Sequence, residues 1–253
     1  MIHLPGLPAG EGYIGAIALA VLALVLLLFL TARIRLGARP RFRTLPVFDK
    51  LPIEIGNAAE SGSSLHIALG SGRLGGQKSL SSLAAVIVLD SLIDAAVAYG
   101  TPPIVTVGDP TLLPLVQDVM RRAYEKRGVP ERYNPTSVRF IAPEPIVYAL
   151  GAADLDNHVR VRGDALIGSF DEEAALVTHI ADVRGYPRLA ALDRPHAIAA
   201  VYSSLTSLAI GEELYAGAAP ITRFPHHLAS LQVQDILRLL LIGAILLKVI
   251  GLF

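Results

Sequence analysis

A glycine-rich stretch in the first third of the chain has the residue types and spacing to do chemistry. It reads GSGRLGGQKS from Gly70 to Ser79 and contains a G-x-G-x-x-G motif at Gly70, Gly72 and Gly75. An apolar run precedes it and a helical pattern follows it. In that setting, backbone N–H groups and the positive end of a helix can hold a phosphate. The stretch therefore predicts a candidate anion-binding turn.

The motif departs from the two best-known phosphate-binding patterns. A dinucleotide site expects an acidic residue about 20 positions on, whereas here the next strand ends at Asp109, 34 residues past Gly75. Gln77 separates Gly76 from Lys78, so the stretch is not a P-loop. An anion site and a plain glycine-rich connector both remain open. If a ligand binds, we expect it at Gly70, Ser71, Gly72, Arg73, Gly75, Lys78 and Ser79, with Asp109 and Ser169 alongside.

Other charged and nucleophilic residues form no recognisable catalytic motif. Carboxylates at residues 171–173 and 212–213 lie in the first turns of predicted helices. Their expected role there is a favourable interaction with the helix dipole, and metal coordination is the less favoured alternative. The seven histidines show no H-x-x-x-H spacing, and no G-x-S-x-G elbow is present. His66 lies inside a predicted strand, where a buried, hydrogen-bonded role is expected. We therefore predict no catalytic residue, no metal site and no cofactor.

The elements that must position the turn follow a strand–helix alternation. Apolar runs without polar alternation indicate strands that are buried on both faces, as in parallel sheets. Strands are predicted at 65–69, 104–107, 138–141, 165–167, 188–192 and 207–210. Helices are predicted at 79–99, 111–127, 144–155, 172–184, 196–204 and 212–218. Residues 44–64 read as a linker with one short strand around Ile53. The fold class is α/β, with a doubly wound, mostly parallel and Rossmann-like sheet.

The predicted strands share a local ending. Four of them finish in an aliphatic residue, a glycine and a polar residue, with the glycines at 70, 108, 168 and 211. Glycine permits a sharp turn, and the polar residue can cap the next helix. All four turns then lie along the carboxyl edge of the sheet, where open α/β folds bind ligands. The pattern is consistent with a purely structural role, in which these residues turn the chain and cap the next helix, and also with a ligand-binding crevice.

Both ends of the chain are apolar enough to cross a bilayer. Residues 13–32 carry no charge, and a helix of that length is about 30 Å long, the thickness of the hydrocarbon core. Residues 236–253 are apolar except for Arg238 and Lys248, and Pro225 can open one long helix that runs into them. A cleaved signal peptide at the first segment and an interfacial helix at the second are the alternatives.

A basic collar follows the first apolar segment and contains Arg33, Arg35, Arg39, Arg41 and Arg43. The positive-inside rule places this collar in the cytoplasm, with residues 1–12 and the C-terminus outside the cell membrane. The collar can also bind anionic lipid headgroups. The predicted organisation is therefore a collar and linker at 33–64, a cytoplasmic α/β domain at 65–224, and a helix ending in a membrane span at 225–253.

Composition limits the functional classes. The 253-residue chain is 53% hydrophobic and 17% charged, which is less charged than a typical soluble protein. Residues 44–235 hold 15 basic and 21 acidic side chains, a net charge of −6, which disfavours nucleic acid as a partner. The chain has no cysteine. Disulfides, thiol nucleophiles and cysteine-ligated metals are therefore excluded.

The predicted helix 79–99 is apolar nearly all round. One side can cover the sheet, and the other must meet another helix, a second subunit or the bilayer. We expect a homo-oligomer contact through Leu83, Val86, Ile87 and Ile93, with burial inside the monomer as the alternative.

Several stretches also resemble a bacterial family of membrane-anchored proteins that is designated a domain of unknown function. They are GSG at 70–72, PPIVTVGDPTLLP at 102–114, LIGSF at 166–170 and IGEELY at 210–215. The similarity covers about residues 45–247. It implies a membrane-anchored architecture and assigns no functional residues.

Two functions remain in view. The leading one is a membrane-anchored scaffold or interaction module that self-associates, with no catalytic activity assigned. The second is a membrane-tethered sensor or enzyme for a nucleotide or another phosphorylated small molecule.

Overall fold

A computed structural model of the chain describes residues 11–38, 44–217 and 224–249. The chain divides into two units. One contains the two terminal helices, and the other is the α/β unit between them.

The α/β unit is built on a six-stranded parallel sheet. Its strands are β1 (Ser64–Gly70), β2 (Ile104–Val107), β3 (Val138–Phe140), β4 (Val161–Ser169), β5 (Arg188–Leu192) and β6 (Ser207–Ile210). They are arranged in the order β3-β2-β1-β4-β5-β6, and every adjacent pair is parallel. The chain therefore builds the sheet outward in one direction from β1 and then in the other direction from β4.

Helices alternate with the strands, as the sequence predicts. Within the described residues they are α2 (Pro46–Glu60), α3 (Ser79–Tyr99), α4 (Leu113–Lys126), α5 (Pro145–His158), α6 (Ala174–Val183), α7 (Pro195–Val201) and α8 (Glu213–Ala216). Two short 3-10 turns, Pro130–Arg132 and Pro135–Ser137, precede β3. The predicted boundaries of α3, β2, β5 and β6 match the observed ones.

Helices cover both faces of the sheet, because each strand buries side chains on both sides. In β1, Ile67 packs in a core with α2, α3, α4 and α8. The next residue, Ala68, packs in a second core with α5, α6 and α7. Such double burial requires the unbroken apolar runs from which the strands were predicted.

The prediction of a linker and a short strand around Ile53 is wrong, because residues 46–60 form helix α2. The buried residues of this segment are Val47, Phe48, Leu51, Ile55 and Ala58. Their spacing of three and four residues is that of one helix face. Pro46 begins the helix, a position where the missing N–H costs nothing. The helix packs in the main core of the α/β unit.

Helix α3 is mostly a core helix. Val86 and Ile93 are buried in the main core, so they offer no surface to a second subunit. Leu83 and Ile87 are exposed, as is Leu80 one turn earlier. Only this narrow stripe of α3 is therefore available for the contact predicted from the sequence.

The terminal unit consists of α1 (Glu11–Arg35) and α9 (Pro225–Val249), which begins at the predicted proline. Leu30 of α1 packs with Ala229 and Val233 of α9, whereas most apolar side chains of both helices are exposed. Three helices among the described residues are long and apolar enough to cross a membrane, namely α1, α9 and α3. Only α3 buries about half of its apolar stretch inside the protein, so α1 and α9 remain as the candidate spans.

Candidate functional site

The glycine-rich turn lies where the strand order reverses. β1 pairs with β2 on one side and with β4 on the other. The connections that leave β1 and β4 therefore depart in opposite directions, which opens a crevice above their carboxyl ends. The residues that follow β1, β2, β4 and β5 all lie along this edge.

Three of the four strand-end glycines are required by close backbone approach. Gly168 has φ of +133°, and a Cβ added there would lie 2.8 Å from the carbonyl oxygen of Leu69. Gly70 has φ of +76°, and a Cβ added there would lie 2.4 Å from the carbonyl oxygen of Ser169. The N–H of Gly108 donates to the carbonyl of Gly70 at 3.0 Å, and a Cβ at Gly108 would lie 2.9 Å from that oxygen. A side chain at any of these positions would push the strand ends apart. The prediction that glycine permits the turns is confirmed at these three positions.

A cleft of about 570 Å³ opens beside the turn. Its lining residues are Ser71, Arg73, Gly76, Gln77, Lys78, Asp109, Pro143, Pro145 and Arg194. Four of them, Ser71, Arg73, Lys78 and Asp109, are among the residues expected at a ligand site. Both cations of the turn therefore line the cleft.

No motif in the sequence singles out Arg194. It lies two residues after the end of β5, so it reaches the cleft from a loop that is far from Gly70–Ser79 in the chain. The one signal that could have found it is its place after a predicted strand. That signal applies equally to every residue at a strand end, so it does not distinguish Arg194 from the others.

Asp171 joins two cations of the cleft. Its Oδ2 accepts a hydrogen bond from Lys78 Nζ at 3.1 Å, and its Oδ1 accepts one from Arg194 at 3.0 Å. Burial alone would raise the pKa of Asp171, but the hydrogen bonds and charges of Lys78 and Arg194 outweigh it and lower the pKa below its ordinary value. Asp171 is therefore ionised at neutral pH.

Glu173 ties the loop after β4 to the glycine-rich turn. Its Oε2 accepts a hydrogen bond from the backbone N–H of Asp171 at 3.0 Å. Its Oε1 accepts one from the Ser71 hydroxyl at 3.5 Å. Glu173 lies just before α6, where a carboxylate interacts favourably with the helix dipole, as the sequence predicts. In the folded chain this carboxylate also holds two loops together.

The other predicted site residues shape the turn from within. The Ser79 hydroxyl accepts a hydrogen bond from Gly76 N–H and donates to its carbonyl. Asp109 Oδ1 accepts from the backbone N–H of Thr111 at 2.9 Å. Gly72 lies against α3, because a Cβ there would be 2.2 Å from the Ser82 hydroxyl oxygen. Gly75 has φ of +86° and open space around it.

Ser169 is fully buried at the end of β4. Its hydroxyl has no hydrogen-bond partner among the described residues, and it does not line the cleft.

A buried chain of hydrogen bonds ends at the same turn. His66 Nδ1 lies 3.0 Å from Asp164 Oδ1, and His66 Nε2 lies 2.9 Å from the Thr106 hydroxyl. That hydroxyl lies 3.0 Å from the Tyr148 hydroxyl, which accepts a hydrogen bond from Gly70 N–H at 3.3 Å. All four side chains are fully buried. The expectation that His66 is a hydrogen-bonded core residue is confirmed.

The structure holds no cluster of three or more histidine or acidic side chains placed to bind a metal within the described ranges. The donors of the cleft are instead three cations, Arg73, Lys78 and Arg194, which suit an anion.

A protein-family model described as a domain of unknown function, DUF6754, matches residues 12–252. The chain belongs to this family. The match takes in both terminal helices and the α/β unit, a wider range than the one inferred from the sequence. No curated protein and no solved structure matches the chain. DUF6754 carries no assigned function, so function must be argued from the cleft itself.

Proposed function

We propose that the chain is a membrane-anchored binding protein for a phosphorylated small molecule, with nucleotides as the first candidates. The observation that carries the proposal is the convergence of Arg73, Lys78 and Arg194 on one cleft at the reversal of strand order. Guanidinium and ammonium groups are the usual protein ligands of phosphate. Clefts of about 300–1,000 Å³ accept small-molecule ligands.

The strand order supports this proposal. The order 3-2-1-4-5-6 is that of dinucleotide-binding doubly wound folds, in which the ligand lies over the first and fourth strands. On this basis we propose that the α/β unit is Rossmann-like. Binding rather than turnover is proposed because His66 and Thr106 lie inside the sheet, fully buried and out of reach of a solute.

Calorimetric titration of the full chain tests the proposal. The chain is purified in a phosphate-free maltoside detergent and titrated with pyrophosphate, ADP and ATP, with and without Mg²⁺. We expect binding that weakens about tenfold in Lys78→Gln and in Arg73→Gln, since each removes a charge-assisted hydrogen bond. Arg127→Gln, at an exposed position after α4, is the matched control. Absence of binding to every probe, or binding that both cleft variants leave unchanged, would refute the proposal.

We further propose that α1 and α9 both span the membrane and hold the α/β unit on the cytoplasmic side. The length and apolar character of the two helices support this, together with Arg33 and Arg35 in the last turn of α1. Both arginines are proposed to contact anionic headgroups. Arg39, Arg41 and Arg43 of the predicted collar lie outside the described residues.

A second candidate function is self-association as a scaffold, through the exposed stripe Leu80, Leu83 and Ile87 of α3. Three exposed apolar side chains on one helix face support it. Light scattering of the detergent-solubilised chain should give more than one copy per particle, and Leu83→Glu should reduce it to one. A wild-type chain that is already monomeric would exclude this candidate.

A further inference from the structure

Asp171 lies between the loops that supply the two cations it contacts. Lys78 belongs to the turn after β1, Arg194 follows β5, and Asp171 follows β4, which lies between β1 and β5 in the sheet. One carboxylate oxygen goes to each cation. A terminal phosphate offers two oxygens to two cations in the same way.

A phosphate has two advantages over this carboxylate. It carries a charge of about −1.5 to −2 at neutral pH, where a carboxylate carries one unit. It also offers a third oxygen, which a carboxylate lacks, to a further cation of the cleft such as Arg73. Among the described residues, no carboxylate lies within salt-bridge distance of Arg73. The cations of the cleft therefore favour a multiply charged oxyanion over the single carboxylate of Asp171.

The carboxylate is also able to leave. The side chain of Asp171 is 28% exposed. Its carboxylate can therefore rotate into water, where it does not become an unpaired buried charge. Its backbone N–H is held independently by Glu173, so the side chain can turn away while the loop keeps its place.

We infer that Asp171 is a built-in competitor for the ligand: its carboxylate occupies the oxyanion position formed by Lys78 and Arg194, and a phosphate group displaces it. This rests on the proposed function and assigns to it an oxyanion subsite and a residue that weakens binding. The ligand class is a phosphate that carries more than one negative charge.

Pyrophosphate titration of the full chain in phosphate-free maltoside detergent tests the inference. Asp171→Asn keeps the size of the side chain and removes its charge, and we expect pyrophosphate to bind about tenfold more tightly than to the wild type. Asp118→Asn removes the same charge from an exposed ion pair on α4 and should leave the affinity for pyrophosphate unchanged. Asp171→Ser is a second variant in case the asparagine disturbs folding, which circular dichroism checks.

A double variant identifies the subsite. If Asp171 competes for Arg194, adding Arg194→Gln to Asp171→Asn should abolish most of the gain in affinity. Wild-type binding that Lys78→Gln weakens, combined with unchanged or weaker binding by Asp171→Asn and Asp171→Ser, would overturn the inference and leave the proposed function standing. Absence of pyrophosphate binding in the wild type and in both Asp171 variants would overturn both.

Discussion

At the scale of single residues, the buried hydrogen-bond chain holds the glycine-rich turn in place. Gly70 N–H can only donate, so the Tyr148 oxygen accepts there and directs its own hydrogen to Thr106. The two ring nitrogens of His66 continue the chain from the Thr106 hydroxyl to Asp164. Burial raises the pKa of Tyr148, so its hydroxyl stays protonated at neutral pH.

Tyr148→Phe tests this chain. The change leaves Gly70 N–H without its acceptor and Thr106 without the Tyr148 hydroxyl, at a cost of about 1–3 kcal/mol in the free energy of unfolding. We also expect weaker pyrophosphate binding, because the turn loses its anchor. Tyr202→Phe, at an exposed position, is the matched control. Equal unfolding midpoints for the two variants in calorimetry would contradict the anchoring role.

The lowered pKa of Asp171 predicts how stability depends on pH. An ordinary aspartate titrates near pH 3.9 in the unfolded chain, and the folded value is lower. The carboxylate therefore stabilises the fold above about pH 4, and this contribution is lost as pH falls through the folded pKa. The midpoint difference between wild type and Asp171→Asn in scanning calorimetry should be largest above pH 5 and shrink toward pH 3. A difference that stays constant over this range would show that charge is not its source.

At the scale of elements, the glycine-rich turn packs so closely on α3 that position 72 has no room for a side chain. Glycine at position 72 lets the backbone lie against Ser82. The sequence predicted the turn from its glycines, but it could not distinguish a glycine that a helix presses upon from one, such as Gly75, that faces open space. The difference depends on where α3 lies.

Gly72→Ala combined with Ser82→Ala tests this packing. Gly72→Ala alone places a Cβ 2.2 Å from the Ser82 oxygen, and such overpacking costs about 1–3 kcal/mol. Removal of that oxygen leaves the nearest Ser82 atom at 3.6 Å, an ordinary contact. The double variant should therefore be more stable than Gly72→Ala and bind pyrophosphate more tightly. If the double variant recovers neither stability nor pyrophosphate binding, the Ser82 oxygen is not the source of the clash.

Helix α2 offers a second test at this scale, because it was predicted as a linker and a strand. Leu51 is fully buried, whereas Ile53 is 60% exposed on the same helix. Leu51→Ala should lower the free energy of unfolding by about 2–5 kcal/mol. Ile53→Ala should change it by no more than about 0.5 kcal/mol. Denaturant titration measures both. Equal effects would mean that residues 46–60 do not pack on the sheet as a helix.

At the scale of the whole molecule, the proposed arrangement is a soluble-type α/β unit between two membrane spans. The absence of cysteine from the chain makes its orientation measurable with introduced thiols. We expect Glu131→Cys, at an exposed position of the α/β unit, to react with a membrane-impermeant maleimide only after cells are permeabilised. Leu7→Cys, in the segment predicted to lie outside, should react in intact cells. The reverse pattern would invert the proposed orientation.

Local pattern was enough to predict the alternation of strands and helices, the apolar terminal helices, the glycine turns and the buried state of His66. Each depends on spacing that a single segment carries, through hydrophobic periodicity or the steric freedom of glycine. Helix α2 escaped prediction because its prolines and glycine resemble a linker, although its apolar spacing is helical.

Strand order, the reversal between β1 and β4 and the partners of Asp171 were decided by tertiary structure alone. Arg194, Lys78 and Asp171 come from three loops and meet only because β1, β4 and β5 are neighbours in the sheet. The same holds for Asp164 and His66, which lie 98 residues apart in the chain. Pairing across a sheet depends on which strands lie side by side, and no local periodicity encodes that choice.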